Sequence, residues 1–178
     1  MFDIQIDTET SSGGREGRQP EGRDAQVTVF LNRQRFEFGI SEMLKAGGGQ
    51  HAVLHMVVRR ADGASAAISH RTLNMVANTL RAGIRSGAVA YLGDAEFAVL
   101  LKDTDSWQAA AYARVAVDIV NSMKLTSHEK PLVIVGCMGG ILAGHSRDGE
   151  YLLGLATAAS ETAWEKPGCK VHLLHAPE

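Results

Sequence analysis

The residues best placed to do chemistry are Gly93, Asp94, Ala95 and Glu96, a short acidic stretch between two apolar runs, Ala88–Leu92 and Phe97–Leu101. Strand-length apolar runs on either side of a small polar turn are the pattern of a β-hairpin inside a covered sheet. Such a turn gathers backbone amides and carboxylates at one sheet edge. Amides suit a phosphate, and carboxylates suit a hard divalent cation. His51 and His55 form a second candidate, because residues four apart in a strand share a face and could clamp a metal. No third ligand follows them in the sequence, so they read as packed histidines. Cys137 and Cys169 are too few for a disulfide framework and are expected as reduced thiols.

These residues need a scaffold, and 178 residues at 45% hydrophobic and 21% charged suffice for one domain with a substantial core. The net charge of −2 gives no electrostatic case for nucleic acid or a membrane surface. No apolar run approaches the ~18–20 residues of a membrane helix, and no secretion signal opens the chain, so a cytoplasmic protein without membrane insertion is expected. Residues 1–26 are expected to be a flexible arm or linker. Ser11–Arg23 is rich in Gly, Glu and Arg with Pro20 and has little to bury, although Phe2–Ile6 alternates like a strand.

Order is expected from Val27. A helix should carry Phe36, Ile40, Met43 and Leu44 on one face, with Asn32 as N-cap and Gly47–Gly49 as its stop. A strand over His51–Val58 follows, ended by Arg59-Arg60-Ala61-Asp62-Gly63. After the hairpin the spacing predicts a helix over Trp107–Met123, capped near Asp103 or Thr104. Trp107, Ala111, Val115, Ile119, Val120 and Met123 would form its core face. Leu132–Gly140 reads as a buried strand and Lys170–Leu174 as a closing one.

The segment Tyr91-Leu92-Gly93-Asp94-Ala95-Glu96-Phe97 resembles the signature of GGDEF domains, the bacterial diguanylate cyclases, whose common form is Arg-Leu-Gly-Gly-Asp-Glu-Phe before an Ala-Val-Leu-Leu strand. The likeness is collinear from about Val27 to Leu174. Leu31-Asn32-Arg33 matches the family's opening, and Val76-Ala77-Asn78-Thr79-Leu80-Arg81 matches Val-Ala-x-x-Leu-Arg. Leu132–Gly140 resembles the family's Thr-Val-Ser-Ile-Gly-Gly strand, and Leu152–Trp164 matches the Leu-Leu-x-x-Ala helix. The resemblance implies an α/β (α+β) palm fold over residues 27–176, with a central five-stranded mixed sheet flanked by helices.

Active members hold divalent metal with two carboxylates while two GTP-loaded domains face each other. Matching strand to strand puts Val57 and Arg59 at the family's first acidic positions, Ala95 at the second, and Trp164 and Cys169 where basic residues contact phosphates. Only Glu96 of the acidic set remains, and its expected setting is a solvated turn. Gly93, Asp94, Ala95, Glu96 and Phe97 thus read as a vestigial signature with no catalytic residue, metal or cofactor. The Arg-x-x-Asp product site would begin at Arg85, but Ala88 stands where its aspartate belongs. The implied role is a non-catalytic regulatory or interaction domain in cyclic di-GMP signalling. Its partners would be another protein, an adjacent phosphodiesterase (EAL) or signalling domain, or a second copy in a homodimer. The alternative is an allosteric domain that takes GTP through Asp94 and Glu96 and controls an attached phosphodiesterase.

Overall fold

Residues 51–60 are apolar enough to be covered on both faces, and the strand they form, β1 (His51–Arg60), is the middle of the sheet. The computed structural model describes residues 31–64, 67–84, 86–127, 130–143 and 148–175. The expected arm, the Phe2–Ile6 segment, Val27–Phe30 and Arg85 lie outside the described residues. In chain order, α1 (Arg33–Ala46) precedes β1, and α2 (His70–Ala82) leads to the hairpin β2 (Gly87–Gly93) and β3 (Glu96–Leu101). Then come α3 (Ser106–Asn121), the short pair β4 (Leu125–Ser127) and β5 (Lys130–Leu132), β6 (Ile134–Ala143), α4 (Gly149–Glu165) and β7 (Val171–His175).

The five-stranded sheet has the order β2-β3-β1-β6-β7, antiparallel except for the β6–β7 pair. This is the expected mixed, mainly antiparallel sheet. Alternation along β1 sorts its side chains into two cores. Leu54, Met56 and Val58 pack with Leu73, Val76 and Leu80 of α2 and with Ala113 and Val117 of α3. Val53 faces the other way, with Phe36 and Ile40 of α1 and Leu152 and Ala156 of α4. Helices therefore cover both faces. The side chain of Asn32 accepts from the Arg35 N–H, and Gly47 ends α1 at φ 68°, a conformation that favours glycine.

Three expectations need correction. Helix α3 is capped by Asp105 in a capping box with Gln108, later than Asp103 or Thr104, and stops at Asn121. Its buried face is Ala109, Ala113, Ala116, Val117 and Val120, whereas Trp107, Val115 and Ile119 are exposed. Small alanines allow the helix backbone close to the sheet, so the larger apolar ladder is turned outward. The strand read over Leu132–Gly140 is two elements, because Leu132 pairs with Leu125 in the two-stranded sheet and the long strand runs from Ile134 to Ala143. Among the described residues no helix is long and apolar enough to cross a membrane.

Candidate functional site

The hairpin turn places Asp94 and Ala95 at its tip, at φ 47° and 63°. Two central residues with positive φ fit the tight turns that match the twist of paired strands, normally at glycine or asparagine. Ala95 is the costlier of the two, since its Cβ gains no local hydrogen bond in return. The turn is tied to the neighbouring strand, where Val58 N–H donates to the Ala95 carbonyl at 3.1 Å. Register then sets Val57 directly opposite Glu96. The three positions named from the sequence, Val57, Ala95 and Glu96, are therefore brought together at one end of the sheet.

Glu96 begins β3 and is not a solvated turn carboxylate. Its Oε2 lies 3.3 Å from His55 Nε2, and its side chain is one-third exposed. His55 is fully buried, with Nδ1 2.8 Å from Ser160 Oγ on α4, and that hydroxyl donates to the Thr157 carbonyl at 2.7 Å. Packed histidines describe the pair well, because His51 is also buried and its Nδ1 accepts from the Asp103 N–H at 3.1 Å. Burial pushes the His55 pKa below its usual value, opposed in part by the Glu96 carboxylate and Glu161, while Arg33 adds to the lowering.

Folded His55 thus stays neutral where an unfolded chain still binds protons. Its contribution to stability is complete above about pH 6.5 and is lost as the pH falls below that, by up to about 1.4 kcal/mol per pH unit. Urea midpoints measured between about pH 7.5 and 5 should fall further for the native chain than for His55→Asn. Parallel pH profiles for the two proteins would show that another group is responsible.

Beside the turn lies a cleft of about 680 Å³, lined by Arg59, Arg60, Ile68, His70, Asp94 and Trp164 among others. The guanidinium of Arg59 sits over the Trp164 ring, 4.3 Å from its centroid, a cation–π contact worth ~0.5–1 kcal/mol at an exposed site. Arg60 is engaged by Asp62 through Nε–Oδ1 at 3.0 Å and Nη2–Oδ2 at 2.6 Å. The Arg60 fork and the Ala64 N–H hold the Asp62 carboxyl at a pKa of about 2. Asp62, the nearest carboxylate in sequence to the missing acidic pair, is already committed to a neighbouring arginine. Asp94 lines the cleft, whereas Glu96 is turned to His55 and is not among its lining residues.

This end of the sheet offers a divalent cation few carboxylates, with Asp94 at the turn tip and Glu96 turned to His55. Hard cations take several oxygens, and here the positions around Glu96 hold a valine, an alanine and an arginine. Among the described residues no three of His, Cys, Asp and Glu cluster as metal ligands would. The sequence pattern missed the Arg59–Trp164 and His55–Glu96–Ser160 contacts. The only hint in the sequence was the expected placing of Arg59 at a family acidic position and Trp164 at a family basic one.

The sequence profile described as "Diguanylate cyclase, GGDEF domain" matches residues 25–167. Among curated proteins none matches. Several solved structures do. The diguanylate cyclase SiaD of Pseudomonas aeruginosa, solved with its activator SiaC, aligns at a TM-score of 0.72 and 18% identity over 85% of this chain, which spans only 60% of that protein. The GGDEF domain of PA1120 (YfiN or TpbB) from Pseudomonas aeruginosa aligns at 0.71 and 25% identity, covering 84% of this chain and 99% of that one. The GGDEF domain of DgcB from Caulobacter crescentus, solved with c-di-GMP, aligns at 0.70 and 18% identity over 92% and 98%.

Proposed function

This chain belongs to the GGDEF diguanylate cyclase domain family, a family of cyclic di-GMP signalling, and from that premise we propose that it is a non-catalytic member acting as a regulatory or protein-interaction domain. The observation that carries this reading is the pairing of Val57 with Glu96. The two positions where carboxylates would share a metal, Val57 and Ala95, carry none, and the remaining carboxylate, Glu96, faces a buried imidazole. Phosphoryl transfer rests on positioning and on neutralising charge, so a site with neither the metal ligands nor the family's basic residue at Trp164 lacks both contributions.

A second reading, allosteric GTP binding, draws on the cleft, which is large enough for a nucleotide and keeps Arg59 and His70 on its wall. Asp94 on the same wall opposes it by repelling phosphate. Calorimetry with GTP and with ATP separates the two, because the regulatory reading expects heat from neither and the allosteric one expects heat from GTP alone.

The decisive experiment is repair of the turn. Asp94→Gly with Ala95→Asp rebuilds Gly-Gly-Asp-Glu-Phe, and the variant should fold, since Gly and Asp tolerate the positive φ of those positions better than the native pair. Native chain and variant alike should make no cyclic di-GMP from GTP with Mg²⁺ or Mn²⁺. The valine at 57 and the Asp62–Arg60 pair leave no second carboxylate, and each missing charge-neutralising group costs ~10²–10³ in rate. Metal-dependent product from the native chain would overturn the proposal. Product from the variant alone would show that the turn is the whole defect.

A further inference from the structure

His55 is fully buried, and its cross-strand partners are the small residues Ala98 on β3 and Gly139 on β6. Because Gly139 has no side chain, the backbone of α4 comes down onto the sheet there and sets Ser160 Oγ 2.8 Å from His55 Nδ1. A second contact fixes where the hydrogen of the first one lies. Ser160 Oγ is also 2.7 Å from the Thr157 carbonyl oxygen, which can only accept, so the single hydroxyl hydrogen is spent on that bond. Nδ1 must then supply the hydrogen between the ring and Ser160.

A neutral imidazole carries one N–H, and a hydrogen on Nδ1 leaves Nε2 bare. Nε2 is buried and makes no hydrogen bond, although Glu96 Oε2 stands 3.3 Å away. An ionised carboxylate is an acceptor only, so two acceptors face each other with no hydrogen between them. A metal ion in that place would need further ligands, and among the described residues no third His, Cys, Asp or Glu joins the pair. A proton satisfies both atoms at once.

We infer that His55 is a proton-operated latch: the ring is held as the Nδ1–H tautomer, and a proton taken up at Nε2 makes Glu96 its acceptor and ties the hairpin turn to β1. Glu96, one-third exposed, is the route by which the proton reaches the buried ring. Of the charged groups facing the ring, Glu96 from β3 and Glu161 from α4 favour uptake, and Arg33 from α1 opposes it. Its same-face neighbours along β1, Val53 and Val57, carry no charge. Burial outweighs these charges and sets uptake below the ordinary histidine value of 6.5. In acid the turn that carries Asp94 and Ala95 in the cleft wall is therefore tied at Glu96 to the middle strand, and at neutral pH that side-chain tie is absent. The tie does not offset the cost of charging a buried ring, so stability still falls in acid. The latch stands apart from the regulatory reading, since it uses only the packing of α3-independent elements, α4 and β3 on β1.

The test uses the full chain with nitrogen-15 in its histidine rings and carbon-13 in its glutamates. Long-range proton–nitrogen correlation reads a ring nitrogen as pyrrole-type when it bears hydrogen and pyridine-type when bare. Among the seven histidines His55 is assigned as the ring lost in His55→Asn and, separately, as the ring perturbed in Ser160→Ala. At about pH 7.5 its Nδ1 should be pyrrole-type and its Nε2 pyridine-type, and both should become pyrrole-type on acidification. The Glu96 carboxyl carbon should shift at the His55 midpoint. Glu96→Gln should lower that midpoint by about one pH unit or more, because the facing charge is gone. Ser160→Ala removes the acceptor for Nδ1–H, so the hydrogen should move to Nε2 and meet Glu96 already at neutral pH.

A native chain with Nε2–H and bare Nδ1 at about pH 7.5 would overturn the proposal, because Glu96 would then be tied without any added proton. So would a ring protonated on both nitrogens at that pH, a Glu96 signal that ignores the His55 titration, or a midpoint unmoved by Glu96→Gln. The native chain alone decides the tautomer, whatever the variants do to folding.

Discussion

Gly139→Ala is expected to destabilise the protein by about 3 kcal/mol or more, at or beyond the upper end of ordinary overpacking. The residue lies in β6 against α4, and a Cβ added there would clash with the Ser160 backbone N and the Ala159 carbonyl carbon. A flexible side chain can rotate away from a clash, but helix backbone cannot. Helix α4 would have to lift from the sheet, taking with it Ser160 and its contact to His55. Gly154→Ala is the matched control within α4, where a Cβ meets nothing within 4 Å. It should stabilise by ~0.5–1 kcal/mol, because alanine loses less backbone entropy in a helix. Urea midpoints of the two variants should therefore move in opposite directions. A Gly139→Ala midpoint within error of the native one would mean that α4 does not lie so close to β6.

Phe97→Ala should cost about 3–5 kcal/mol. Phe97 is fully buried, sits opposite Met56 of β1 and packs its ring against Tyr91 with centroids 5.4 Å apart. Truncation leaves a cavity beneath the hairpin that carries the Gly93–Glu96 turn, and no neighbouring strand can collapse into it without losing register. An unchanged denaturation midpoint would refute this placement. On this reading the signature's phenylalanine serves packing.

Much of this molecule was legible locally. Asn32 before a period-3.6 apolar pattern gave α1 and its cap, because a side-chain oxygen there satisfies an otherwise unpaired amide. Two apolar runs around Gly93–Glu96 gave the hairpin, and the collinear motif matches gave the family. The outward ladder on α3 was misread for a physical reason. Hydrophobic periodicity reports that a helix has an apolar face, but not which of two faces meets the sheet. The alanines won because small side chains permit closer backbone approach and more buried contact.

That Val57 and Ala95 carry no carboxylate is read from the sequence alone, since residue identity is covalent fact that no fold can alter. Tertiary structure alone decided what the surviving groups do. His55 and Ser160 are 105 residues apart, and only the packing of α4 on β1 brings them within 2.8 Å. The same packing stacks Arg59 on Trp164, while strand register turns Glu96 toward His55 and local geometry ties Asp62 to Arg60. Hydrogen bonds and ion contacts act over a few ångströms, so they depend on distances that chain order leaves open until the sheet has paired and the helices have docked.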